Sequence, residues 1–155
     1  MAEIITKSET QTKKIAGFLA KEILKSKISK RNAVIVGLQG ELGSGKTRFV
    51  QGFAKGLGIR QRLTSPTFVL VKKYKLPKGR IFNFQFTISN FLYHIDCYRL
   101  SKPKDLLDLD FKEIVFNPQN IILIEWAEKI RSILPKETIW IKFEIISPRE
   151  RKIVI

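Results

Sequence analysis

A chain of 155 residues with 44% hydrophobic side chains is long enough for one domain with a substantial core. It has no run of 18 apolar residues, which argues against a membrane-spanning helix, and its one cysteine, Cys97, leaves no internal disulfide. The net charge of +15 fits either a polyanionic partner or a generally lysine-rich surface, and with lysines spread along the chain it locates no site. The N-terminal residues lack a basic stretch followed by an apolar one, so the expected location is the cytoplasm, without membrane attachment.

Residues 4–6 read as a short first strand. Ser8 and Gln11 have capping-box spacing and open a helix through about Leu24, with apolar residues at 15, 16, 19, 20, 23 and 24 along one face. After a basic loop, residues 33–38 form a short apolar, β-branched run suited to a buried strand. Residues 40–47, Gly-Glu-Leu-Gly-Ser-Gly-Lys-Thr, then fit G-x-x-x-x-G-K-[ST], and apolar residues at 49, 50, 53, 54 and 57 continue as a helix. Strand, glycine loop and helix are the context this phosphate-binding motif needs. Glycines let backbone N–H groups turn toward phosphate oxygens, and the helix N-terminus presents its positive dipole end to the same anion. In such a loop Lys46 reaches the β- and γ-phosphates of a nucleotide and the Thr47 hydroxyl ligates Mg²⁺. Glu41, Leu42, Gly43, Ser44 and Gly45 complete the nucleotide-binding loop.

Gly56 and Gly58 end that helix, and a basic loop leads to Ser65-Pro66-Thr67. Two readings of this segment stay open: a plain turn, or hydroxyls that sense a γ-phosphate. Residues 68–76 read as a strand, and residues 77–90 as a hairpin in which Phe82, Phe84 and Phe86 alternate. These rings suit a core or an interface better than base stacking. A strand is expected at 91–96, and in extended conformation over 94–98 His94, Asp96 and Tyr98 face one way while Ile95 and Cys97 face the other, making Cys97 a buried structural thiol. With one histidine in the chain, a histidine-rich metal cluster is ruled out. A helix starts at 101–105 and breaks near Asp110. Residues 120–126 form a second buried strand that ends in Glu125, and residues 127–133 a short helix. Residues 138–146 alternate as an antiparallel strand that pairs with 152–155 across the turn at 147–149. No repeat or linker divides residues 1–155, so the expectation is a single α/β domain of the P-loop NTPase type: three layers, α/β/α, around a central mixed sheet.

The glycine loop, Ser65-Pro66-Thr67-Phe68, His94-x-Asp96-x-Tyr98-Arg99-Leu100 and Ile124-Glu125-Trp126 occur in the order and nearly the spacing of the bacterial TsaE (YjeE) family, which this sequence resembles from about Thr12 to Arg151. The resemblance implies an Mg²⁺-dependent ATPase, slow without partners, that serves N6-threonylcarbamoyladenosine modification of tRNAs reading ANN codons. Its implied partner is a TsaB–TsaD-type transferase complex, with tRNA contacted indirectly or weakly. It further implies phosphate holding by Lys46, metal binding by Thr47 and Glu125, and nucleotide sensing by Ser65 and Thr67. Asp96 is implied to orient the attacking water or the metal shell, and Thr12 and Arg149 to contact the rest of the nucleotide. Arg99 in cis, or a partner, is left to supply any arginine finger. One departure is visible: 19 residues separate Tyr74 from His94, where the family uses a tight hairpin. A small-molecule P-loop kinase is the alternative reading, though an arginine-bearing lid and a substrate carboxylate after the first α/β unit are not evident. A GTPase would need Asn-Lys-x-Asp and Asp-x-x-Gly, and neither string is present.

Overall fold

The computed structural model describes residues 1–25, 31–64, 70–77 and 91–155. The Ser65–Thr67 turn and the Phe82, Phe84 and Phe86 alternation lie outside these residues. The strands are β1 (Glu3–Thr6), β2 (Val34–Gln39), β3 (Val71–Lys75), β4 (Phe91–Asp96), β5 (Asn120–Glu125), β6 (Ile139–Ile145) and β7 (Arg151–Val154). The helices are α1 (Glu9–Lys25), α2 (Lys46–Gly56), α3 (Pro103–Leu107) and α4 (Phe111–Val115), with a 3₁₀ helix at Ala127–Ile133. Among the described residues the strands form one mixed sheet in the order β1-β7-β6-β2-β5-β4-β3. β6, β2, β5 and β4 run parallel, and β7, β1 and β3 join antiparallel toward the two edges.

The central strands are apolar runs because both of their faces are covered. All six residues of β5 are buried. Val36, Leu38, Ile121 and Leu123 turn toward α1 and α2, where they meet Ala16, Ala20, Phe49 and Phe53. Ile35, Ile122 and Ile124 turn the other way, onto Leu106, Phe111, Val115 and Ile130. The helical stripe expected in α2 is buried at every position: Phe49, Val50, Phe53, Ala54 and Leu57. Phe49 meets Phe143 edge-on at 5.4 Å between ring centroids, which ties α2 to β6.

Helices α1 and α2 cross at glycines. A Cβ added to Gly52 would lie 2.3 Å from the Lys13 carbonyl oxygen, and one added to Gly56 would lie 2.6 Å from Gly17 Cα. Gly56 closes α2, as its sequence context suggests, but it is also a packing residue.

Three local details differ from the sequence expectations. Ser8 Oγ accepts the Gln11 N–H at 3.2 Å, as in a capping box, yet the Gln11 side chain accepts from Lys7 N at 2.6 Å rather than from Ser8 N. The helix expected from 101 ends at Leu107, and Asp110 in the left-handed region (φ 56°) turns the chain into α4, which the apolar spacing did not announce. β6 is antiparallel to β7 but parallel to β2 on its other side. Among the described residues, no helix is long and apolar enough to cross a membrane.

β2 lies between β5 and β6, so the strand order reverses there, and β2, β4 and β5 end at the same edge of the sheet. A ligand crevice is expected outside the carboxyl ends of such strands.

Candidate functional site at the carboxyl ends of the parallel strands

The chain leaves β2 through Gly40 and reaches α2 at Lys46. Gly43 (φ 77°) and Gly45 (φ 101°) are left-handed, and a Cβ added at either meets nothing within 4 Å. Backbone conformation therefore selects glycine there, and the space in front of both residues is open. The N-cap of α2, Gly45, makes no side-chain cap hydrogen bond, so the first N–H groups of α2 are available to an anion.

Lys46 is buried within this loop. Its Nζ donates to the carbonyls of Gly40 at 2.5 Å and Glu41 at 2.9 Å, and reaches Ser44 Oγ at 3.4 Å. The ammonium also sits 4.0 Å from the centroid of the Trp126 ring. Burial lowers the Lys46 pKa from its ordinary value, while the nearby carboxylates of Glu125, Glu128 and Asp96 oppose that shift.

Two acids face the loop from adjacent strands. Asp96 and Glu125 are register partners at the ends of β4 and β5, and both are buried. Glu125 Oε2 accepts the Thr47 hydroxyl at 2.8 Å, and Glu125 Oε1 lies 2.8 Å from His94 Nε2. Asp96 Oδ1 accepts the Tyr98 N–H at 2.9 Å. Immediately after Glu125, Trp126 takes φ 58°, a conformation costly for a bulky side chain, and its ring packs against Tyr98 with centroids 5.1 Å apart and planes tilted by 46°. Lys129 braces this turn by donating to the Tyr98 carbonyl.

Lys46, Thr47, Glu125, Asp96, Tyr98 and Trp126 face a cavity of about 870 Å³. Of the residues singled out in the sequence, Thr12, Leu42, Gly43, Ser44, Gly45, Lys46, Thr47, Asp96, Glu125 and Arg149 line it. Glu41 is not among the lining residues and contributes its carbonyl to Lys46. The Thr12 hydroxyl is 2.9 Å from that of Thr6 and donates to Ser8 O, so it braces the start of α1. Ser65 and Thr67 lie outside the described residues. Arg99 does not line the cavity; Arg48, Arg149 and Arg151 do. Arg151 is the contributor the sequence reading passed over. Its Nε donates to Gly43 O at 3.2 Å and its Nη1 to Ser147 O at 2.8 Å and Glu150 O at 2.9 Å, tying the C-terminal turn to the glycine loop. The β7 sequence, Arg-Lys-Ile-Val, carries no signal for this contact. Arg48 pairs with Glu9 at 3.1 Å across the first turns of α2 and α1. Among the described residues no group of three His, Cys, Asp or Glu is arranged to hold a metal ion. A metal here would take Thr47 and Glu125 and draw its other ligands from substrate and water.

Cys97 is buried on the opposite face, and burial pushes its thiol up to about 12, Asp96 adding to the shift and Lys129 opposing it. At pH 8 roughly 10⁻⁴ of it is thiolate. The folded protein is therefore expected to resist iodoacetamide at pH 8 and to react once unfolded. Rapid labelling of native protein, read by intact mass, would show that assignment to be wrong.

The sheet order and this crevice put the molecule among mixed α/β proteins whose cavity opens at the carboxyl ends of parallel strands. The chain belongs to the TsaE family: the family model described as "Threonylcarbamoyl adenosine biosynthesis protein TsaE" matches residues 6–153. The chain is 39% identical over 121 residues to the tRNA threonylcarbamoyladenosine biosynthesis protein TsaE of Treponema pallidum (strain Nichols), covering 78% of this chain and 80% of that protein. The TsaE protein of Rickettsia felis is 35% identical over 150 residues, with 96% and 75% of the two chains covered. The crystal structure of YdiB from Bacillus subtilis superposes with a TM-score of 0.68 at 30% identity, covering 98% of this chain and 82% of that one.

Proposed function

We propose that this chain is a single-domain P-loop ATPase that binds and hydrolyses Mg²⁺-ATP in the cytoplasm. It serves N6-threonylcarbamoyladenosine modification of tRNAs that read ANN codons, as an accessory subunit acting on a TsaB–TsaD-type transferase complex. The observation that carries the nucleotide reading is the approach of Glu125 to Thr47, at 2.8 Å, beside a loop whose two left-handed glycines face open space. Family membership supports the pathway.

The residues present fit the ligand. A hydroxyl and a buried carboxylate form a compact oxygen pair for Mg²⁺, and the open face of the loop suits a polyphosphate. Mg²⁺ bound there would supply positive charge to the terminal phosphates. Lys46 exchanges its carbonyl partners for phosphate oxygens and balances charge that builds as the γ-phosphoryl group leaves. Asp96, held by the Tyr98 N–H, orients the water that attacks in line, giving ADP and phosphate. Arg149 and the first turn of α1 near Thr12 flank the remainder of the nucleotide. Arg99 does not line the cavity, Arg48 pairs with Glu9 and Arg151 donates to backbone carbonyls, so turnover without a partner's contribution is expected to be slow.

Depletion of the protein in its native host is expected to lower threonylcarbamoyladenosine in bulk tRNA, measured by nucleoside mass spectrometry. An unchanged level in depleted cells removes the pathway assignment. Capture of the two transferase subunits by the purified chain in the presence of ATP separates this reading from a small-molecule kinase.

A further inference from the structure

His94 is the chain's single histidine and is wholly buried, yet the roles proposed above leave it without one. It sits on β4 two residues before Asp96 and pairs across the strands with Leu123, while Asp96 pairs with Glu125. His94 and Glu125 are thus diagonal neighbours on one face of the β4–β5 ladder, close enough for side-chain contact. The contact is specific: Nε2 to Oε1 at 2.8 Å. The other carboxylate oxygen takes the Thr47 hydroxyl at the same distance.

We propose that His94 is a positioning residue for Glu125, fixing the carboxylate so that its second oxygen is held on the Thr47 side of the cavity. An ionised carboxylate only accepts, so the proton of this bond belongs to His94 Nε2. Nδ1 is buried and has no hydrogen-bond partner among the described residues, so the Glu125 contact is the one that orients the ring there. The ring therefore presents an Nε2–H to Glu125. Restraint of this kind matters because Glu125 closes a strand and is followed by the left-handed Trp126, where a carboxylate without a second partner is free to rotate about its side-chain bonds.

The inference rests on the ATPase reading for its consequence, but its geometry is testable without nucleotide. In tag-free, ¹⁵N-labelled protein the single imidazole gives one set of ring correlations, expected to show a proton on Nε2. Glu125→Ala is expected to change that pattern. A ring without a proton on Nε2, or one indifferent to Glu125→Ala, overturns the proposal. In the second arm, His94→Leu keeps the volume and removes the donor, whereas His94→Gln restores a donor near the Nε2 position. His94→Leu is expected to lower kcat or raise the Mg²⁺ requirement by about 10–100-fold, with His94→Gln recovering most of it. Equal kcat and Mg²⁺ dependence in wild type and His94→Leu overturns the proposal. A wild-type protein without ATPase activity instead counts against the function proposed above, leaving the ring-proton result to judge His94.

Discussion

Lys46→Ala is expected to lower ATP-dependent phosphate release by about 10²–10³-fold, the size of effect seen when a buried donor to developing charge is removed. Lys46 is only 4% exposed and spends its donors on two carbonyls and a hydroxyl of its own loop. Burial disfavours its charge, and Glu125, Glu128 and Asp96 restore part of what burial takes away. A cation held against a desolvation penalty interacts strongly with an entering anion, because little water screens it. Alanine removes that charge and leaves the acids of the cavity facing a polyphosphate uncompensated, so nucleotide binding weakens as well. Lys46→Arg keeps the charge but brings a larger, planar head to a cradle sized for an ammonium, and is expected to recover little. Wild-type phosphate release by Lys46→Ala would remove the phosphate role from this loop.

The parts of this site that were legible in the sequence are those encoded locally. The spacing of residues 40–47 requires a strand before it and a helix after it, and both are present, because the constraint lies within one contiguous turn. Glu125 was also readable, since an apolar run ending in an acid is a strand that delivers the acid to the sheet edge. What the sequence hid are contacts between distant segments. His94 and Glu125 are 31 residues apart, and nothing in His-x-Asp says which oxygen the ring will meet. Arg151 reaches Gly43 across 108 residues, while Arg149, two residues before it, was singled out only by the family resemblance. The break at Asp110 was visible, but α4 was not, because five residues carry too little periodicity to announce a helix.

Gly52 belongs to the same hidden class, and it yields the second large effect. By helix propensity alone, Gly52→Ala in the middle of α2 should stabilise by about 1 kcal/mol. Packing reverses the sign. The added methyl would lie 2.3 Å from Lys13 O, 2.5 Å from Lys13 Cα and 2.7 Å from Lys13 C, all backbone atoms that have no rotamer to give way. The helices must separate, and α1 is held by Ala16 and Ala20 in the same cluster as Phe49 and Phe53, so separation opens the core on that face of the sheet. A net loss of about 3 kcal/mol is expected, equivalent to a fall in Tm of roughly 6–12 °C for a chain of this size. Gly17→Ala is the graded comparison, since its closest contact is 3.2 Å from Gly52 O, and it is expected to cost about 1 kcal/mol. Thermal melts that rank Gly52→Ala at or above wild type would contradict the close crossing. The crossing also has a functional reach: α2 carries Lys46 and Thr47 in its first turn, so displacing it from α1 moves both relative to Glu125. Gly52→Ala is therefore expected to weaken nucleotide binding at temperatures well below its own melting point, whereas a substitution that only lowers stability would leave affinity intact there.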